Sequence, residues 1–215
     1  MIRLCRLACL VLLLAAGCTT VPTIKPGGAP DEAAWARRQT RLADVDNWRL
    51  DGRVAVINGS DGNSGSLVWR QQADALEFRI SGPFGVGGMH IYGDARGVKV
   101  VDSRGRSFFT RSPDFEFYRR FGWYVPLESL RYWVVGLPDP GLPSRHRVDA
   151  GGRLETLEQE GFHVAYLRYM TVSGLELPQR ITVTRGAIKV KVAVQDWSLD
   201  PAGQPAAVEE QAGGR

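Results

Sequence analysis

The stretch Ile188-Lys189-Val190-Lys191-Val192-Ala193-Val194-Gln195 decides the fold. Its apolar residues fall on every second position, which puts Ile188, Val190, Val192 and Val194 on one face of a strand and Lys189, Lys191, Ala193 and Gln195 on the other. A helix would scatter the same residues around its circumference. The period recurs upstream. Trp48, Leu50, Val54 and Val56 alternate with Arg49, Asp51, Arg53 and Ala55, and Leu67 and Trp69 with Val68 and Arg70. Leu76, Phe78 and Ile80 alternate with Glu77, Arg79 and Ser81, Met89 and Ile91 with His90 and Tyr92, and Val98 and Val100 with Lys99 and Val101. One apolar and one solvated face is the mark of antiparallel sheet. Turn signals separate the runs at Asn58-Gly59, Asp61-Gly62, Gly93-Asp94, Arg104-Gly105 and Gly151-Gly152, so the strands follow one another as hairpins. The spacing predicts a mainly β fold of about eleven strands.

Three segments break the period of two. Asp31–Val45 is expected as a helix, with Asp31 and Glu32 in its first turn and Trp35, Leu42 and Val45 near one face. Ser112-Pro113 reads as an N-cap followed by a proline at the first helical position, with Gly122 as the stop and Phe117, Tyr118 and Phe121 on one face. A third helix is expected from Pro126 to Gly136, with Leu127, Leu130 and Val134 at helical spacing. Two short helices inside a long meander can cover one mouth of a curled sheet.

The chain has 215 residues, which suits one domain. Its start sets the compartment. Arg3 and Arg6 precede an apolar run, Leu7–Ala16, far shorter than the roughly 20 residues of a membrane-spanning helix. Residues 1–17 therefore read as a cleaved leader, and Leu14-Ala15-Ala16-Gly17-Cys18 resembles a bacterial lipobox, in which the cysteine becomes the acylated N-terminus. Cys5, Cys9 and Cys18 are all the cysteines there are, so the mature domain has no thiol pair to hold it. A triacylated Cys18 would be a permanent anchor, where a single chain gives only reversible binding. Thr19, rather than Asp, follows it, which for such leaders favours the outer membrane. Residues 18–30, with Pro22, Pro26 and Pro30, form the expected tether, 31–198 the domain, and 199–215 an expected disordered tail. Without Arg3 and Arg6 the balance is 25 basic against 23 acidic residues, too even for a nucleic-acid partner.

Catalytic chemistry is sparse. His90, His146 and His163 have no ligand spacing, and His90 and His163 fall on the solvated parity of their strands. Neither a nucleophile elbow, a phosphate loop nor a zinc helix motif occurs, and no cofactor or metal is expected. Gly85-Val86-Gly87-Gly88 precedes a strand and lacks the glycine spacing of a dinucleotide loop. The unusual feature is apolar. Ser81-Gly82-Pro83-Phe84-Gly85-Val86-Gly87 lies between two strands, where a turn should be polar, and carries Phe84 at its tip. Phe84 either folds onto the core or protrudes as a wedge that enters a bilayer or a partner's groove.

The lipobox, the N-terminal helix, the Pro83-Phe84-Gly85 loop and the stretch Ser129-Leu130-Arg131-Tyr132-Trp133-Val134-Val135-Gly136-Leu137-Pro138 together resemble the LolB family of outer-membrane lipoprotein receptors. The resemblance spans about Trp35 to Trp197. It implies an open, strongly curved antiparallel β-barrel with lid helices over an apolar cavity. It also implies a function: accepting acylated lipoproteins from a periplasmic, LolA-like carrier and releasing them into outer-membrane lipid, as a monomer and without ATP. In that family a leucine at the loop tip serves release. Phe84 stands at the matching position, within the loop Pro83, Phe84, Gly85 and Val86. The inward-parity residues Trp48, Val54, Trp69, Phe78, Ile80, Met89 and Ile91, with Leu130 and Trp133 from the lid, are expected to line the cavity or to fill it as plain core. Two other readings stand beside this one, a non-transporting envelope scaffold of the same shape and a hydrolase built on scattered carboxylates.

The loop reading gives a test. Phe84→Glu is expected to leave folding and acyl-chain binding intact while stopping release into membranes, and Phe84→Leu to be nearly silent. Normal delivery by the Phe84→Glu variant would show that the loop is no wedge.

Overall fold

The computed structural model describes residues 31–82, 87–121 and 124–199. The leader, Cys18, the tether, the tail from Asp200, the loop residues Pro83, Phe84, Gly85 and Val86, and the Gly122 stop lie outside the described residues. Helix α1 (Glu32–Ala43) leads into strands β1 (Asn47–Asn58), β2 (Asp61–Gln72), β3 (Ala75–Ser81), β4 (Gly88–Asp94), β5 (Gly97–Asp102) and β6 (Ser107–Thr110). Helices α2 (Pro113–Phe121) and α3 (Leu127–Val135) follow. The chain then returns through β7 (Ser144–Val148), β8 (Leu154–Gln159), β9 (Phe162–Val172), β10 (Leu175–Arg185) and β11 (Ile188–Leu199).

All eleven strands form one antiparallel sheet in the order β6-β5-β4-β3-β2-β1-β11-β10-β9-β8-β7. Each half is a meander, and the pairing of β1 with β11 joins the halves. The sheet is open, with β6 and β7 as its edges. The chain leaves at one edge and re-enters at the other, so α2 and α3 form the connection between the two edge strands. That topology is why the helices interrupt the meander where they do.

Register turns the sequence alternation into a continuous apolar row. Trp197 pairs with Leu50, Leu50 with Trp69, Trp69 with Phe78, Phe78 with Ile91, Ile91 with Val100, and Val100 with Phe108. Trp48 meets Trp69 edge-on at 5.0 Å and Trp197 at 5.4 Å, and Trp69 meets Phe78 at 5.3 Å. Such edge contacts add to the gain from burying the rings.

The helices match their signals, with two differences. Asp31 caps α1 by accepting from the Ala34 backbone N–H at 2.8 Å, but the helix stops at Ala43, short of Val45. Its Trp35 and Leu42 are buried, and Arg38 lies over the Tyr169 ring at 5.2 Å. Gly152 fixes its seat: its φ is +70°, and a Cβ there would come within 2.5 Å of the Ala34 and Trp35 backbone. On α2, Phe117 is 2% exposed but Tyr118 is 59% exposed, so the two do not share a buried face. Adjacent helical positions diverge by about 100°, and only one of them can enter the crevice over Ile91, Val98 and Val100.

Helix α3 is the best-fixed of the three. Trp133 is 1% exposed and donates its indole N–H to Gln159 Oε1 at 2.8 Å, and the Tyr166 hydroxyl donates to the Trp133 carbonyl at 2.9 Å. Gly136 ends the helix in the left-handed conformation (φ +88°), while the Leu137 N–H closes back on the Tyr132 carbonyl at 3.0 Å. Gln159 is saturated. It also accepts from the Asp139 N–H and donates to the Asp139 and Leu142 carbonyls. Gln159→Leu strands two donors and is expected to cost about 2–4 kcal/mol, read as a lower urea midpoint with an unchanged slope.

Candidate functional site: the seam under the lid helices

The apolar interior is divided in two. The larger cluster holds Trp35, Trp48, Leu50, Val54, Trp69, Trp133, Val164, Leu177 and Trp197, among others. The smaller holds Ile91, Val98, Val100, Phe117 and Leu127. Phe78 and Leu130 pack against both, and both are only half-buried. They mark a seam where the two clusters meet.

The sequence-selected residues sort themselves along this seam. Trp48, Val54, Trp69 and Trp133 are buried in the larger cluster and Ile91 in the smaller, packed side chain on side chain. Phe78, Ile80, Met89 and Leu130 are half-buried and border the junction. The loop Pro83–Val86 lies outside the described residues. The described residues on either side of it pair with each other, Ser81 with Gly88 and Ile80 with Met89, at the end of the sheet shared with the β1–β2 turn. Outside the seam, an open groove of about 520 Å³ runs between Pro143–Arg145 and Glu158–His163. Its lining includes Arg145, Glu158 and His163, a poor surround for hydrocarbon.

The two lid helices are held differently. Besides its indole bond, α3 is tied by Ser129, whose hydroxyl lies 2.9 Å from an Asp139 oxygen and 2.8 Å from a Glu160 oxygen. Among its described side chains, α2 buries only Phe117 and is pinned at its start by Asp114. Asp114 accepts from the Tyr124 hydroxyl at 3.1 Å and from the Leu127 N–H at 3.4 Å. Phe115 and Tyr118 on α2 are exposed aromatics, as is Phe109 on β6, which stands opposite Lys99 on the convex face. Burial raises the Asp114 carboxyl above its ordinary range, against the pull of the Tyr124 and Leu127 hydrogen bonds, with Glu160 and Glu128 adding to the rise. Burial likewise pushes the Tyr124 hydroxyl up to about 12, helped by the charge of Asp114. Arg185 lies over the Tyr124 and Phe162 rings at 5.0 and 4.8 Å.

Sequence reading missed Asp114, Tyr124, Ser129, Gln159 and Glu160. One signal was available. Gln159 shares the inward parity of Leu157 on β8, and a polar residue on an apolar face must find partners. Glu77 is the outward counterpart. It is buried on the convex side, accepting from Arg70 at 3.2 Å and Arg79 at 3.0 Å, with His90 at 3.1 Å. His90 is thereby half-buried rather than solvated, and desolvation followed by Arg79 lowers its pKa. Among the described residues no cluster of His, Asp and Glu could hold a metal.

Comparison with known proteins bears on this arrangement. The model of the family described as "Outer membrane lipoprotein LolB" matches residues 46–197. This chain belongs to the LolB family. The outer-membrane lipoprotein LolB of Stutzerimonas stutzeri is 35% identical over 191 residues, covering 88% of this chain and 92% of that protein. That of Nitrosococcus oceani is 31% identical, covering 91% and 98%. Family membership makes the chain an outer-membrane lipoprotein that acts as a receptor in lipoprotein localisation. Among solved structures, a LolA superfamily protein from Nitrosomonas europaea superimposes with a TM-score of 0.52 at 8% identity, covering 80% of this chain and 94% of that one. An outer-membrane lipoprotein-sorting protein domain from Vibrio parahaemolyticus gives 0.52 at 7%, covering 80% and 93%. At such identities the likeness is one of fold, and the LolB fold here is that open antiparallel sheet.

The raised carboxyl predicts a pH dependence. A folded-state pKa above the ordinary 3.8 means that the folded protein holds the proton more tightly than the unfolded chain. The stability contributed by Asp114 is therefore complete below 3.8 and lost as pH rises through its raised value. Asp114→Asn is expected to remove that loss, so that the variant's thermal midpoint gains on the parent's as pH rises through the raised value, measured as thermal midpoint against pH. An unaltered profile would mean that the pin on α2 carries no ionisation cost.

Proposed function

We propose that acyl chains of lipoproteins enter at the seam between the two apolar clusters, beneath α2, after delivery by a periplasmic, LolA-like carrier. They then pass into outer-membrane lipid by way of the Pro83–Val86 loop. The observation that carries this reading is the unequal fixing of the lid. α3 is bonded into the larger cluster through Trp133 and Ser129, whereas α2, among its described side chains, buries only Phe117 and bonds through Asp114 to Tyr124 and Leu127, over a half-buried junction. Shifting α2 opens the junction of Phe78, Ile80, Met89 and Leu130 to hydrocarbon and leaves the larger cluster whole.

The energetics favour such a route. At about 0.8 kcal/mol per buried CH₂, one fourteen-carbon chain in water costs on the order of 11 kcal/mol, so free diffusion between carrier and membrane is negligible. Transfer between two apolar sites needs only a difference in affinity. Each ~1.4 kcal/mol of preference moves the partition tenfold, so the handover runs without ATP. The bilayer solvates all the chains and makes the last step downhill. In this scheme Cys18 keeps the receptor at the membrane, and the acylated lipoprotein is the cargo.

The scaffold reading has one observation in its favour. Trp48, Val54, Trp69 and Trp133 fill the larger cluster as packed core. One assay separates the two. The chain from Thr19 onward, lacking its anchor, is mixed with a carrier loaded with acylated lipoprotein in the absence of ATP. Movement of the lipoprotein onto this chain is the expected result. A folded domain that takes none from a competent carrier would favour the scaffold.

A further inference from the structure

The near-even charge balance of the whole chain conceals a segregation visible only on the sheet. Register puts Arg168 opposite Arg180, Arg180 opposite Ala193, and Ala193 opposite Arg53, one row across β9, β10, β11 and β1 on the convex face. Lys191 and Lys189 follow on the same face of β11, opposite Thr182 and Thr184. All five cations are exposed, and among the described residues none of them stands in an ion pair. The acids of this face lie to its sides. Glu158 sits opposite Arg145 and His163, while Asp196 and Asp51 lie opposite each other, with Asp51 held by Arg49. Between the cations stand the small residues Ala55, Ala165, Ala193 and Thr182, with Ile57 opposite Lys189 at the margin of the row. Beside Arg168, Leu167 is 67% exposed.

Like charges directly opposite on adjacent strands oppose sheet formation, and here no acid relieves them. We propose that this convex face is a docking surface for anionic lipid headgroups, with Arg53, Arg168, Arg180, Lys189 and Lys191 as the contacts and Leu167 dipping into the interface. The residue types select a membrane over a protein. The face lacks the aromatic and apolar centre from which protein interfaces draw their affinity, whereas long cations over small residues, with one exposed leucine, suit a diffuse negative layer. The tether expected from Thr19 to Pro30 spans at most roughly 40 Å, so an anchored domain stays within reach of the bilayer. Docking by this face would turn the molecule so that its strands lie along the membrane.

The test needs no cargo, so its outcome is independent of the transfer assay. The chain from Thr19 to Arg215 keeps every described element. It is sedimented with vesicles of phosphatidylethanolamine containing phosphatidylglycerol, and with vesicles of phosphatidylethanolamine and phosphatidylcholine alone. The expected result is binding that requires the anionic lipid and weakens steeply with salt. Lys189→Glu with Lys191→Glu is expected to lower the partition coefficient at least about thirtyfold, given what each cation contributes near an anionic surface. The same is expected of Arg168→Glu with Arg180→Glu. Arg96→Glu, at the far β4–β5 turn, is expected to change nothing. Unchanged thermal midpoints show that the variants fold. Equal binding to both vesicle types, or unaltered binding by the paired variants, would overturn the proposal. So would variants that bind vesicles normally but no longer take lipoprotein from the carrier, since the face would then belong to an acidic protein.

Discussion

The hydrogen bond from the Trp133 indole to Gln159 joins the connection between the two edge strands to the sheet it leaves open. An eleven-stranded sheet that does not close exposes an apolar concave face along its whole opening, and some other element must cover it. α3 does so by burying Trp133, Val134 and Val135, and burial of an indole is tolerable only if its N–H finds an acceptor. Gln159 supplies it, and its remaining capacity fixes the chain that leaves the helix at Asp139 and Leu142. One side chain thus sets the position of the helix, its exit path and the β8–β9 corner.

In the proposed route α3, fixed by these bonds, stays in place. The proposed route moves α2 instead, which among its described side chains buries only Phe117 and whose Asp114, bonded to Tyr124 and Leu127, is disfavoured by burial in its charged form. Division of the interior into two clusters follows from the same inequality: α3 belongs to one and α2 covers the other, with Phe78 and Leu130 between them. The proposed route uses that boundary to open for hydrocarbon without unfolding. Breaching the smaller cluster leaves Trp48, Trp69, Trp133 and Trp197 packed as before.

The two exposed edges are blunted against other chains. β6 is four residues long, and β7 carries Arg145, His146 and Arg147 in succession. The convex face carries its own charge pattern. Glu77 is enclosed there by Arg70, Arg79 and His90, Asp51 is held by Arg49, and Arg53, Arg168, Arg180, Lys189 and Lys191 stand in no ion pair among the described residues. Concave and convex faces therefore present different chemistry, hydrocarbon within and positive charge without.

The sequence by itself determined the strand class, because a period of two admits no other regular structure, and it placed α1 and α3 through Asp31 and Gly136. It also marked the inward set, since parity assigns Trp48, Trp69, Phe78 and Ile91 to one face before any partner is known. Parity alone could not say which of these residues are packed and which border a junction. That depends on how far the sheet curls and on what fills it. Nor could local pattern find the bonds of Trp133 to Gln159 or Ser129 to Glu160, whose partners are 26 and 31 residues apart. Helical spacing grouped Phe117 with Tyr118, while the crevice over β4 and β5 admitted only Phe117. The basic row was equally out of reach of sequence. Arg53, Arg168 and Arg180 lie on three strands, and only the register between those strands, a long-range property, brings them into line.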